Sequence, residues 1–358
     1  MKEFINYMAD PIRSFPLMTI MYILMMKYYR IIGTKKFAVG ALAVLLPIVT
    51  WFCLDDNFRA IIMWPDNIPI NIIIILIGWL TWYSLYRCAQ NDERIERGEC
   101  PIEATPENRE KVWTWPNLVY TELMCMIGVV VFLVVWAIVF KAPLEEPANP
   151  TWAPNPAKAP WYFLGLQEML VYFDPWMAGV VLPGIIVVGL MAIPYIDTNP
   201  KGNGYFTIKE RPLAMWMFMY GWLVLWIYLI IVGTFLRGPN WTFYGPFEFW
   251  DFHKVVSEYN VNLSEFMWIK WLNMPMPQNI VVREILGIIL TVIYVCVLPV
   301  LSAKSKWGQK IIANTGQIRY YIFIFLLLGM TSLPIKMVLR WLFSLKYIIA
   351  LPEWELNL

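Results

Sequence analysis

Seven apolar runs, each close to the length of a membrane crossing, dominate this chain, at about 37–54, 68–86, 118–140, 176–196, 213–236, 285–301 and 319–335. A hydrocarbon core about 30 Å thick is crossed by about 20 residues of helix, because each residue adds only about 1.5 Å. Inside lipid every backbone donor and acceptor must pair within its own segment, so runs of this kind are helices. Composition agrees: only 15% of the 358 residues are charged and 20 are Trp, too little polar surface to cover a soluble globule. The expected fold class is an all-α polytopic membrane protein of about seven transmembrane helices plus interfacial helices. Phe15 to Met26, ended by Lys27, is too short to cross, and 336–350 carries Lys336, Arg340 and Lys346. Both are expected to be interfacial.

Charge chooses between the two orientations open to seven spans. With the N-terminus inside, the inner segments hold 18 Lys and Arg and the outer ones 10. The positive-inside rule favours that arrangement. Its clearest witness is the loop SAKSKWGQKIIANTGQIR (302–319), with four basic residues and no acid. The start, MKEFINYMADPIRSFP, lacks the pattern of a cleavable signal, so the first span is expected to direct its own insertion. Net charge is only +2, with the basic residues sorted by membrane side, so nucleic acid is not an expected partner. Cys53, Cys88, Cys100, Cys125 and Cys296 form no C-x-x-C or C-x-x-C-H motif, and most read as packing residues.

The unusual sequence falls on the outer side. APNPAKAPWYFLGLQEML (153–170) sets three prolines before a Trp-Tyr pair and a lone Gln-Glu. Proline removes a backbone donor and restricts the residue before it, so no helix runs through Pro154, Pro156 and Pro160. A short helix is expected from about Trp161, with 161, 164, 165 and 168 sharing a face. Taken alone, these residues fit either an interfacial hairpin with an aromatic anchor or the wall of a buried site. Farther on, 238–284 is dense in Trp, Phe and Tyr, as expected of an aromatic belt, of a docking surface for a partner domain, or of both. His253, the one histidine, lies there beside acidic and aromatic residues and reads as a surface or hydrogen-bonding group.

From 113 the chain reads WTWPNLVYTELMCMIGVVVFLVVWAIVFKAPLEEPANPTWAPNPAKAPWYF. This resembles the C-terminal half of cytochrome b, and in particular subunit IV of cytochrome b6f-type complexes. There a Trp-Pro-Asn enters a span, the span ends in Glu-Pro-Ala-Asn-Pro, and a Pro-Glu-Trp-Tyr motif follows. The matching positions are Trp115 to Asn117, Glu146 to Pro150, and Trp161 with Tyr162. The likeness continues through LPGIIVVGLMAIPYID (182–197) and ERPLA (210–214), covering roughly 113–237. Four regions follow: 1–112, an N-terminal extension with two extra spans and a charged inner loop; 113–237, the subunit IV-like quinol-pocket region; 238–284, the outer aromatic-rich loop; and 285–358, the C-terminal spans and interfacial tail.

The resemblance implies a membrane subunit of a quinol-oxidising, proton-translocating cytochrome bc-type complex in a bacterial energy-conserving membrane. It places the Trp-Tyr loop on the positive side, as the basic residues do. Two b haems would need four axial imidazoles, and one histidine cannot supply them. The b haems are therefore expected in a separate subunit like the N-terminal half of cytochrome b. An iron-sulfur cluster is expected in a Rieske protein, and a c-type cytochrome and a dimeric complex complete the assembly. Quinol would sit against Pro160, Trp161, Tyr162, Phe163 and Leu164, in an apolar, aromatic pocket with few polar groups. One departure stands out: the family's acid before Trp-Tyr, its proton acceptor, is replaced by Pro160. Glu168, on the Trp161 stripe, is the expected substitute, with Tyr162 as second catalytic group. Two other functions fit parts of the sequence. A secondary transporter is disfavoured because no internal repeat or paired broken span occurs and Glu122 and Lys141 lie at span ends. A scaffold that kept the fold without quinol chemistry would account for the missing acid.

Overall fold

The computed structural model describes residues 1–108, 111–140, 147–151, 153–198, 204–256 and 259–358. Lys141 and Glu146 lie outside the described residues. Ten helices organise the account: α1 Pro11–Lys27, α2 Lys35–Phe52, α3 Asn67–Glu96, α4 Thr114–Val139, α5 Trp161–Met169, α6 Met177–Ile196, α7 Pro212–Leu236, α8 Ile285–Lys304, α9 Lys306–Thr315 and α10 Gln317–Phe343. Seven of them, α2, α3, α4, α6, α7, α8 and α10, are long and apolar enough to cross a membrane, and each coincides with an expected span.

Local chemistry sets many boundaries. Thr34 begins α2 by accepting a hydrogen bond from the Phe37 amide, and Ser305 begins α9 by accepting one from Gly308. Pro160, extended at ψ 147°, precedes α5, so the proline run 153–160 is non-helical as expected. With no side-chain cap on α5, the Gln167 amide oxygen reaches back to accept from the Ala159 N–H at 2.8 Å. That bond ties the end of the proline run to the helix it leads into.

Two helices run past their expected ends. α3 continues to Glu96, beyond 86, because its polar extension is held by tertiary bonds. α10 continues to Phe343, so 336–343 is not a separate interfacial segment. Lys336 is only 2% exposed there, its ammonium 5.8 Å from the rings of both Phe173 and Tyr347. A helix can carry a lysine inward in this way without presenting the charge to lipid.

The chain divides into two compact units. The first comprises Met1–Ile20, Lys158–Gly202 and Phe218–Leu358. Its core is the crossing of α5 on α7. Gly233 faces the Leu164 carbonyl at 3.2 Å from where a Cβ would stand, and Gly165 faces Ile230 at 3.3 Å, so small residues let these helices approach closely. Phe15 packs edge-on against Tyr228 and Trp341, and the Ser14 hydroxyl bonds Tyr228 at 2.8 Å. The C-terminal tail, a two-stranded ribbon of β1 Ala350–Leu351 and β2 Leu356–Asn357, is clamped by Arg283 on Glu353 and by the Ala350 amide donating to Glu284.

The second unit comprises Met21–Ala157 and Asn203–Met217. Its polar centre is Asp92 of α3, fully buried, which accepts from the Tyr29 hydroxyl, the Thr207 hydroxyl and the amides of Ile208 and Lys209. Neighbouring Asn91 donates to Glu103 and the Phe206 carbonyl and accepts from the Ile102 amide. Four donors converge on this carboxylate, three on Oδ2 and one on Oδ1, which lets an acidic side chain sit buried in α3.

Candidate functional site

Helix α5 presents two unlike faces. Leu164, Gly165, Glu168 and Met169 are buried, and Trp161 is half-buried at the start of the same stripe, so the face expected from spacing exists and packs onto α7. Tyr162 and Phe163 point away from it, 51% and 50% exposed, with ring centres 4.7 Å apart. Trp161 meets Tyr162 edge to face at 5.6 Å, and Pro160 is exposed beside them. Of the residues expected to line a quinol site, Pro160, Tyr162 and Phe163 thus form an outward surface. Leu164 belongs to the buried side. Tyr162 and Glu168 are six residues apart, which at about 100° per residue sets them on different sides of the helix.

Behind this surface lies a buried ionic cluster. The Arg237 guanidinium grips Glu168 with two bonds, Nη2 to Oε1 at 2.6 Å and Nε to Oε2 at 3.0 Å. The Glu168 side chain is 0% exposed and that of Arg237 9%. Nη1 of Arg237 also donates to the Trp241 carbonyl at 2.9 Å, fixing the plane of the fork. Lys158, two residues before Pro160, donates to the Thr234 carbonyl at 2.7 Å and lies 5.1 Å over the Trp250 ring. Arg237 therefore pairs directly with the Glu168 carboxylate, and Lys158 acts on it through space.

Burial dominates the titration of this cluster. It pushes the Glu168 carboxyl above the ordinary glutamate range, while Arg237 and Lys158 pull the other way. It lowers the Lys158 ammonium to about 8, with Glu168 opposing and Arg237 reinforcing the fall. A lysine held there exchanges its proton near neutral pH.

Spacing alone did not identify Arg237 as the partner of Glu168. An arginine just past the end of a membrane helix reads in sequence as an ordinary snorkelling anchor. Lys158 acts on the Glu168 carboxylate through space while bonding Thr234. His253 is where the sequence placed it, its side chain 96% exposed and 3.3 Å from Asp251.

Residues 147–248 match the family described as cytochrome b (C-terminal)/b6/petD. The matched segment contains α5, α6, α7, Glu168 and Arg237, and it starts later and ends later than the stretch 113–237 that carries the resemblance in sequence. No solved structure matches the chain significantly.

Proposed function

From the premise that residues 147–248 belong to the cytochrome b C-terminal/b6/petD family, we propose that this membrane subunit of a cytochrome bc/b6f-type complex furnishes the quinol-oxidation pocket on the outer side. The observation that carries the reading is the exposed Tyr162–Phe163 pair, standing at the end of a non-helical proline run and backed by a buried ionic cluster. A quinol ring is flat and apolar with a hydroxyl at each end. An aromatic face that lies open to lipid or to a partner subunit suits its entry, and few polar groups are needed to orient it. The pocket takes Pro160, Trp161, Tyr162 and Phe163 as its surface and Leu164 as the support beneath.

Oxidation of one quinol releases two electrons and two protons. In this reading the electrons leave for an iron-sulfur cluster in a Rieske partner and for b haems in a subunit like the N-terminal half of cytochrome b, with a c-type cytochrome beyond and the whole complex dimeric. Tyr162 orients a hydroxyl. Glu168 is the carboxylate of the proton path in place of the acid that Pro160 replaces, and Lys158 is the member that exchanges its proton near neutral pH. The match to this family favours the reading over a secondary transporter.

An azido-quinone photolabel applied to the intact complex tests it. Crosslinks are expected within residues 160–164, concentrated on Tyr162 and Phe163. Labelling confined to other subunits would leave a structural subunit without quinol chemistry as the better account.

Orientation is tested separately. With the N-terminus inside, a cysteine at Asn155 in a cysteine-free background reacts with an impermeant maleimide from outside. One at Lys306 reacts only after permeabilisation. The opposite pattern would reverse the placement of the pocket.

A further inference from the structure

Helices α6, α8 and α10 of the first unit line an apolar cavity of about 760 Å³ that is open to the surface. Its walls include Gly184 and Ile185 from α6, Cys296 and Val300 from α8, and Ile322 and Leu326 from α10. The volume falls within the range of about 300–1,000 Å³ typical of small-molecule sites. Two of the walls end in a cation. Lys304 follows Val300 by four residues, and Arg319 precedes Ile322 by three and Leu326 by seven, so each basic residue continues its own cavity-facing stripe. The two ends converge, since α8 and α10 meet where Ser302 bonds the Tyr320 hydroxyl. Lys304 and Arg319 are exposed, and among the described residues neither side chain makes an ion pair or hydrogen bond. The connecting segment 302–319 carries two more lysines and no acid.

We propose that this cavity holds the acyl part of an anionic glycerophospholipid, with its phosphate between Lys304 and Arg319. An occupant must match both features, a long apolar body and a negative head at one end. A quinone headgroup fits poorly, because the apolar walls offer little to orient its carbonyls. Basic residues between membrane helices at a bilayer surface are suited to anionic headgroups, and the two cations come from different walls, so one phosphate can bridge them. The site needs no particular orientation of the chain, although with the N-terminus inside it faces the inner leaflet. It lies apart from the quinol surface proposed above and does not rest on it.

Native mass spectrometry of the complex, delipidated and offered one probe at a time, tests the assignment. Phosphatidylglycerol is expected to be retained at least about tenfold over phosphatidylcholine of the same chains, and sn-glycerol 3-phosphate not at all. The double variant Lys304→Gln/Arg319→Gln should reduce phosphatidylglycerol to the phosphatidylcholine level, with each single variant between. Gly184→Leu should lower retention of both lipids about fivefold or more. A Cβ at Gly184 meets nothing within 4 Å, so the backbone there accepts a side chain that projects into the cavity. Equal retention of the two lipids overturns the proposal, as does an unchanged preference in the glutamine variants. Binding of glycerol phosphate as tight as the lipid would reduce the site to a free-anion site, and wild-type retention in Gly184→Leu would remove the cavity from it.

Discussion

Replacing Arg237 with methionine is expected to destabilise the first unit by about 3–5 kcal/mol, the usual effect of removing one partner from a buried ion pair. Glu168 is fully buried and takes both of its strongest bonds from Arg237, and Lys158 is occupied with the Thr234 carbonyl. Left alone, the carboxyl would be protonated in the folded state, its pKa raised by burial with less opposition. A group whose folded pKa is raised contributes stability below its unfolded value and loses it as pH rises through the folded value. The Arg237→Met variant should therefore be closest to wild type near pH 5 and fall away toward pH 8, as read by thermal unfolding in detergent. The double variant Glu168→Leu/Arg237→Met should recover most of the loss, because two apolar side chains leave no unpaired charge. A single variant as stable as wild type at pH 8 would show that the pair is not needed to hold α5 against α7.

Glu168→Gln should slow quinol oxidation in the assembled complex by about tenfold or more, within the range for loss of a positioned acid–base group. Glutamine keeps the length of the side chain and one acceptor for Arg237, and Arg237 retains the Trp241 carbonyl. Haem content and subunit assembly should accordingly be preserved. A purely structural role would not move the pH profile, but the proposed one does. The Glu168 charge holds the Lys158 pKa up, so its removal should shift a Lys158-linked limb from about 8 to lower pH. Wild-type turnover with an unmoved limb would rule Glu168 out as the substitute for the missing acid, leaving Tyr162, a partner subunit or a water chain to take the proton.

The number of membrane helices and the apolar core of each were legible in local features. A run of about 20 apolar residues has one stable form in lipid, a helix, whatever surrounds it, and all seven appear where hydropathy placed them. Prolines 154, 156 and 160 act on their own backbone, so the non-helical run and the start of α5 at Trp161 were equally readable. The buried stripe of α5 followed from helical period alone, which is why Leu164, Gly165 and Glu168 proved to share a face.

What the stripe meets was decided elsewhere in the chain. Glu168 pairs with Arg237, 69 residues away, and no period or propensity links two positions on separate segments. The same holds for Asp92, whose donors from Thr207 to Lys209 carry α3 past its apolar end, and for Lys336, buried within α10 beside the rings of Phe173 and Tyr347. Each is a charged or polar side chain inside an apolar region. Whether such a residue ends a span, reaches for the interface or forms part of a site depends on whether a partner arrives from a distant segment. The cost of burying it alone is several kcal/mol and bonding with a partner offsets much of that, so tertiary contact, not local sequence, settles its role.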